Sequence, residues 1–333
     1  MFLSVIVSCF NCRETIKRVL NSLIIQSFQD FEVIISDDCS EDDFMEVVDK
    51  YKDLLTIRYF KTTNPIHCPG NTRRTGLENA TGEWVTFIDH DDAFTSNAFQ
   101  VFVDTYNSAE TKLPFFFSPA AHISKDGSSS TLTAQTWLHG NFYNRQWLLD
   151  NQINFKENLL GNEDLYFNNL VYDTLSATDT QYWTCSTPLY NWYIEESSFS
   201  NKPVESGSYT EKFFTDYITA CLEPRIILAQ KYHEKFTAFR TEAQSTFLYA
   251  YFYYERALYL YKDAPVVQDM LIGTKRGLKQ FFEIFSGDIQ ELYNNFFTDN
   301  KTYNDFRNIV MQCSGQFVET HSLRKFLELV WQQ

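Results

Sequence analysis

The sequence predicts an α/β fold: a doubly wound, mostly parallel sheet followed by a mainly helical C-terminal domain. Three observations predict it. Apolar, β-branched runs alternate with amphipathic helical segments through residue 92, the signature of βαβ units. Three strand ends carry polar clusters, Ser8–Asn11, Asp37–Ser40 and Asp89–Asp92, where sheets of this class bind ligands. From Tyr209 onward the pattern turns helical, with few Gly or Pro and many aromatic residues.

Phe2–Ser8 is a continuous apolar run and reads as a buried parallel strand. Arg13–Gln26 places Ile16, Val19, Leu20, Leu23 and Ile24 on one helical face. Phe31–Ser36 is a second strand, Phe44–Lys52 a second helix and Thr56–Phe60 a third strand. Asn71–Ala80 reads as a helix stopped by Gly82, and Trp84–Ile88 as a fourth strand. Pro114–Pro119 is a further buried strand, Lys125–Thr131 a Ser-rich turn, and the chain is mixed to about residue 200. Asn, Pro, Ser and Gly cluster at Ser200–Ser208, which sets the domains at 1–204 and 205–333. In the second, Thr246–Leu260 and Arg276–Phe285 read as helices, and the stripe Tyr249, Tyr251, Phe252, Tyr253 and Tyr254 as buried on several sides.

The 333 residues are 44% hydrophobic, enough for a sizeable core. Net charge is −15, concentrated in residues 1–204. A surface of that sign repels polyphosphate backbones and anionic lipid, which disfavours a nucleic-acid or membrane-surface protein. Seven scattered cysteines, with only Cys9 and Cys12 at C-x-x-C spacing, read as free thiols of a reducing cytosol. The first residues lack a basic leader and no stretch reaches roughly 18 apolar residues, so a cytoplasmic protein without signal peptide or membrane span is expected.

Asp89-His90-Asp91-Asp92 directly follows a strand. Carboxylates there can turn toward one small space and hold a hard divalent cation that keeps positions open for diphosphate oxygens. An isolated D-x-D triplet is more often a solvated acidic turn, but the apolar Trp84–Ile88 before it favours function. His90 is a weaker ligand candidate, because neighbours on an extended segment point opposite ways.

VIVSCFN (Val5–Asn11), ISDDCSEDD (Ile35–Asp43), PGNTRRTGLENATGEW (Pro69–Trp84) and FIDHDD (Phe87–Asp92) resemble, in order and spacing, the motifs of family 2 glycosyltransferases of the GT-A fold. The resemblance covers roughly residues 2–200. It implies a nucleotide-sugar-binding catalytic domain over 1–204, a UDP-sugar donor and Mn2+ or Mg2+. Ser8, Cys9, Phe10 and Asn11 correspond to the first nucleotide-contacting loop, with Ser8 where the family usually has Pro. Asp38 corresponds to an acceptor of a hydrogen bond from uracil or ribose, with helix capping as the plain alternative for Asp37 and Asp38. Arg73 corresponds to a donor-diphosphate contact, for which a guanidinium fork is suited, and Arg74 replaces a commoner Asn. Asp89 and Asp91 correspond to the metal-binding pair, with Asp92 supporting and His90 beside the donor. Pro69-Gly70 resembles the turn of some polysaccharide and teichoic-acid sugar transferases.

Inverting transfer needs a carboxylate to take the acceptor proton. The family places it in a Glu-Asp pair opening a helix, which GNEDLYF resembles: Asp164 is implied as base, Glu163 as its neighbour or an acceptor contact. The alternative is an acidic pair complementing a helix dipole. Trp137, His139 and Tyr143 suit sugar stacking or core packing equally. The segment from Tyr190-Asn191-Trp192-Tyr193 to Ser197 and Ser200 resembles the closing motif, but Glu195-Glu196 stands where basic residues often touch the diphosphate. The acceptor is a hydroxyl of unknown identity, with a glycan or polymer favoured and a modified nucleic-acid base still open. Residues 205–333 read as a packing or homo-oligomerisation module ahead of acceptor recognition. Two other functions compete: a nucleotidyltransferase, weakened because SCFNCRET lacks the glycines of a triphosphate loop, and a non-catalytic binding protein of the same fold.

Overall fold

The computed structural model describes residues 1–62, 68–133, 137–193 and 211–235, together with 272, 273 and 276. The chain divides into two compact units, Met1–Asn201 and Lys202–Gln333.

In the first unit, the strands β1 (Leu3–Cys9), β2 (Phe31–Asp37) and β4 (Trp84–Asp89) run parallel, with β3 (Ile57–Lys61) beyond β2. Every residue of β1 and β2 is buried, as a central strand covered on both faces requires. The helices α1 (Ile16–Ile24), α2 (Met45–Val48) and α3 (Pro69–Asn79) connect these strands, and α4 (Ala98–Ser108) follows the short β5 (Ala93–Phe94). Antiparallel β9 (Phe142–Asn144) joins β4 to β6 (Phe115–Phe117), and β10 (Trp183–Thr184) closes that edge. The seven-stranded order is β10-β6-β9-β4-β1-β2-β3. The α/β, mostly parallel sheet expected from the sequence is therefore present.

A second sheet, β5-β11-β7-β8, pairs β11 (Tyr190–Tyr193) with β5 and with β7 (Ala120–Ile123), while β8 (Ser129–Leu132) forms a hairpin with β7. None of its strands is predicted by the sequence pattern. Lys125–Thr131, expected to be all turn, is a turn only to about Ser128, and its serines continue into an exposed polar edge strand with no apolar alternation to mark it. The helices α5 (Arg145–Asp150) and α6 (Glu163–Ala177) complete the unit.

Boundaries shift for local reasons. Pro69 takes the first turn of α3, where its missing N–H costs nothing, so the helix starts two residues before the expected Asn71. The expected helix Phe44–Lys52 is one α-turn that tightens into a 3-10 turn at Asp49–Tyr51, a frequent helix ending. Arg13–Thr15 precede α1 in a turn in which the N–H groups of Thr15 and Ile16 both donate to the Cys12 carbonyl.

Phe99, Phe102, Phe116, Phe142 and Trp84 form the aromatic centre of the core, with Phe102 stacked on Phe142 at 4.4 Å. In the second unit the described helix is α7 (Glu211–Lys231). The expected helix Thr246–Leu260, its aromatic stripe and residues 194–210 lie outside the described residues, as does Arg276–Phe285 apart from Arg276 itself. None of the cysteines among the described residues is in a disulfide.

Candidate active site

Two glycines bring α3 close to its neighbours. A Cβ on Gly76 would lie 2.3 Å from Ile6 Cγ2, so α3 sits on β1 at a distance only glycine permits. A Cβ on Gly70 would meet Glu163 Cβ at 3.0 Å, so the N-terminal turns of α3 and α6 abut. Arg73, one turn into α3, is thereby carried between β4 and α6. Its guanidinium donates to Asp89 Oδ1 at 2.6 Å and to Glu163 Oε1. The Arg73 side chain is 10% exposed and that of Glu163 is 9%. A charge so buried needs partners, and here it has two.

This pairing divides the carboxylates into two kinds. Burial would push Asp89 up, but Arg73, His139 and the Ser8 hydroxyl outweigh it and hold Asp89 well below the usual carboxylate range. Burial and the neighbouring Glu163 charge push Asp164 up to about 7, although Arg73 pulls the other way. Asp164 Oδ1 accepts the Leu165 N–H at 2.7 Å. Asn162, in the left-handed region at φ 64°, turns the chain into α6 so that Glu163 and Asp164 occupy its first turn. Arg73 itself, lowered by burial, is raised on balance by Asp89 and Glu163.

The loop after β4 is fixed from behind. Asp92 is buried and accepts from Tyr190 Oη at 2.6 Å and from the Tyr193 N–H at 2.9 Å, both on β11. Burial and the charges of Asp89 and Asp91 push its carboxyl well up. The Asp91 carbonyl accepts from Arg18 of α1, whose guanidinium also lies 4.3 Å over the Tyr193 ring. His90 turns away from Asp89 to pair its Nδ1 with Thr15 Oγ1 at 2.7 Å.

At the end of β1, Ser8 Oγ donates to Asp89 Oδ1 at 2.7 Å, which links the first polar cluster to the third. Cys9 is buried beside Cys12, and burial followed by that neighbour pushes its thiol well up. Phe10 is 38% exposed, and Asn11, at φ 47°, ties the loop to the second cluster through Ser40 Oγ and the Glu41 N–H. Asp37 accepts from the Ser40 N–H and hydroxyl and from Tyr59 Oη, so it holds a turn rather than capping a helix. Asp38 is buried, bonded through its N–H to the Cys9 carbonyl and through Oδ1 to Thr62 Oγ1.

His139, expected from the sequence to stack on sugar or to pack in the core, has a further position open to it. It lies with Asp89 and Asp92 in a cluster whose ligating atoms are all within 4.8 Å of one another. Burial lowers its imidazole to about 4 despite the nearby Asp89, so the ring is neutral near pH 7. Its Nδ1 is buried without a hydrogen-bond partner among the described residues. An ionised Asp89, a supporting Asp92 and a neutral imidazole are a donor set that fits a divalent cation. No sequence spacing signals this, because His139 is brought in from fifty residues downstream. The rings of Trp137, Tyr190 and Trp192 surround it, whereas Tyr143 packs in the core and donates to Asn168.

A parallel sheet with acidic groups at its strand ends and a second small sheet behind them define the GT-A class of nucleotide-sugar fold. The solved structure of Staphylococcus aureus TarS 1–349 in complex with UDP-GlcNAc matches with a TM-score of 0.55 at 20% identity, covering 99% of this chain and 82% of that one. Within that class, residues 4–156 match Glycosyl transferase family 2. Relatives include a GalNAc(5)-diNAcBac-PP-undecaprenol beta-1,3-glucosyltransferase of Campylobacter jejuni, 32% identical over 50% of this chain and 59% of its own length. Another is the poly(ribitol-phosphate) beta-N-acetylglucosaminyltransferase TarS of S. aureus, 30% identical over 52% of this chain and 32% of its own length. The chain thus spans less than two thirds of either relative.

Proposed function

We propose that the protein is an inverting glycosyltransferase that moves a sugar from a UDP-sugar to an acceptor hydroxyl, with Mn2+ or Mg2+ on the donor diphosphate. The observation that carries this reading is Arg73, bonded at once to Asp89 at a strand end and to Glu163 beside Asp164. It spans a donor side and an acceptor side with one buried guanidinium.

Asp89 and Asp91 would hold the cation, whose charge offsets that developing on the departing diphosphate. Ser8, Cys9, Phe10, Asn11, Asp38 and His90 surround the nucleotide in this reading, and Arg73 turns its fork to phosphate oxygens. Asp164 takes the acceptor proton as the hydroxyl attacks from the face opposite the diphosphate; a carboxyl poised near 7 suits a base at neutral pH. Glu163 sustains that poise by its charge and orients the acceptor.

The names of the relatives, which act on undecaprenol-linked glycans and on poly(ribitol phosphate), favour a glycan or polyol polymer as acceptor. No helix among the described residues is long and apolar enough to cross a membrane; action in the cytoplasm is part of this proposal. Residues 205–333 serve packing or self-association in this proposal.

The test is thermal stabilisation by UDP with and without Mn2+. Asp91→Asn is expected to lose the metal-dependent part, while Asp164→Asn keeps it and loses sugar transfer. A protein indifferent to every nucleotide and metal combination refutes the proposal.

A further inference from the structure

We infer that His139 is a protein ligand of the divalent cation, forming with Asp89 and Asp92 a mixed nitrogen–oxygen site that favours Mn2+ over Mg2+. This rests on the proposal that the domain binds a metal-assisted nucleotide-sugar; it adds His139 from outside the strand-end acidic run and brings Asp92 in beside the Asp89 and Asp91 of that proposal.

Geometry is the first support. The ligating atoms of Asp89, Asp92 and His139 lie within 4.8 Å of one another. Ligands roughly 2.1 Å from one ion lie about 3.0–3.6 Å apart when adjacent and about 4.2 Å when opposite. Side-chain movements of under about 1 Å close the set.

The second support is the unmet nitrogen. His139 Nδ1 is buried and has no hydrogen-bond partner among the described residues. An unsatisfied buried polar atom costs about 1–3 kcal/mol and calls for a missing partner. Rotation is a poor escape, since the ring stacks on Trp192 at 5.9 Å and meets the Tyr190 and Trp137 rings edge-on at 4.7 and 5.9 Å. Its backbone is equally fixed. Gly140 follows at φ 77°, and Asn141 closes the turn by donating its side-chain amide to the Trp137 carbonyl at 2.9 Å.

Asp89 is arranged to share. Ser8 and Arg73 both donate to its Oδ1, while Oδ2 takes no hydrogen bond among the described residues. Asp92 uses each oxygen once, for Tyr190 and Tyr193, which leaves a second lone pair on each.

Mg2+ demands oxygen donors in near-ideal octahedral geometry, whereas first-row transition ions accept imidazole nitrogen. A histidine in the set therefore discriminates between the two ions at the level of ligand chemistry.

The experiment is Mn2+ binding in the presence of UDP, followed by the loss of the free-ion electron spin resonance signal. His139→Phe preserves a stacking ring and removes the nitrogen. It is expected to weaken Mn2+ at least tenfold while changing Mg2+ by less than threefold, as read by competition. Pulsed spin resonance of the wild-type protein is expected to show imidazole nitrogen coupling to bound Mn2+, shifted by 15N-histidine labelling. That measurement decides the case even if the variant fails to fold. Bound Mn2+ without nitrogen coupling, or unchanged Mn2+ affinity in a folded His139→Phe, overturns the inference. In that event, loss of binding in Asp89→Asn leaves the parent proposal standing. If the wild-type protein takes up no Mn2+ with UDP, both fall together.

Discussion

Replacing Glu32 by Gln removes a charge that the opposite end of the sheet from the site is built around. Glu32 faces Ser4 across the β1–β2 register and is 1% exposed. Its Oε1 accepts from Ser4 Oγ at 2.7 Å and from the Thr81 N–H and hydroxyl at 2.8 and 2.7 Å. Its Oε2 accepts from Arg58 Nη1 at 2.9 Å. Burial would raise this carboxyl, but the bonds from Thr81, Ser4 and Arg58 prevail and lower it from 4.5 to about 2. At 1.36 kcal/mol per pH unit, the ionised group contributes about 3 kcal/mol at neutral pH. In Glu32→Gln the amide oxygen can satisfy one side only, and its NH2 then faces the Arg58 donor. Because the folded value is the lower one, the unfolded chain binds the extra proton between pH 4.5 and about 2. The contribution is therefore complete above about pH 5, roughly halved near pH 3 and gone below 2. Urea titrations followed by tryptophan fluorescence are the assay, since five of the six Trp residues lie in the first unit. The variant is expected to lose about 3 kcal/mol at pH 7, with the deficit shrinking toward pH 3. An undiminished deficit at pH 3, or no deficit at pH 7, refutes the reasoning.

Other predictions concern the site. Transfer by the wild-type protein should fall about tenfold for each pH unit below 7, because Asp164 must be ionised to accept a proton; Asp164→Asn should be 10²- to 10⁴-fold slower and lack that limb in a pH–rate profile. Glu163→Gln removes the charge that helps raise Asp164, so the limb should move to lower pH; an upward move would assign the elevation elsewhere. Arg73→Ala leaves Asp89 and Glu163 buried without their shared cation and should cost about 3–5 kcal/mol in denaturant titration. Gly76→Ala drives a methyl into Ile6 and should cost about 1–3 kcal/mol, part of it recovered when Ile6 is also cut to Ala.

Strands β1, β2 and β4 were legible in the sequence because their runs are mostly apolar and β-branched, broken inside only at Ser4, Glu32 and Thr86, and each gives way to polar residues at its end. Gly70 and Gly76 were visible as letters, but their purpose depends on Glu163 and Ile6, which local patterning cannot join to them. The second sheet was illegible for the same reason. Ser129–Leu132 is exposed along most of its length and carries no alternation, and Ala93–Phe94 is too short to have a period. His139 was read as an aromatic ring because its sequence neighbours are aromatic. Its nearness to Asp89 exists only once β9 has paired with β4.

Tyr190 and Tyr193 hold Asp92 from nearly one hundred residues downstream, beyond the stretch 4–156 that matches the family. A fragment stopping at residue 156 would own every acidic residue of the strand-end loop yet lack the two donors that brace it. During synthesis, the acidic corner would emerge first and stay unbraced until the last strand of the smaller sheet arrived.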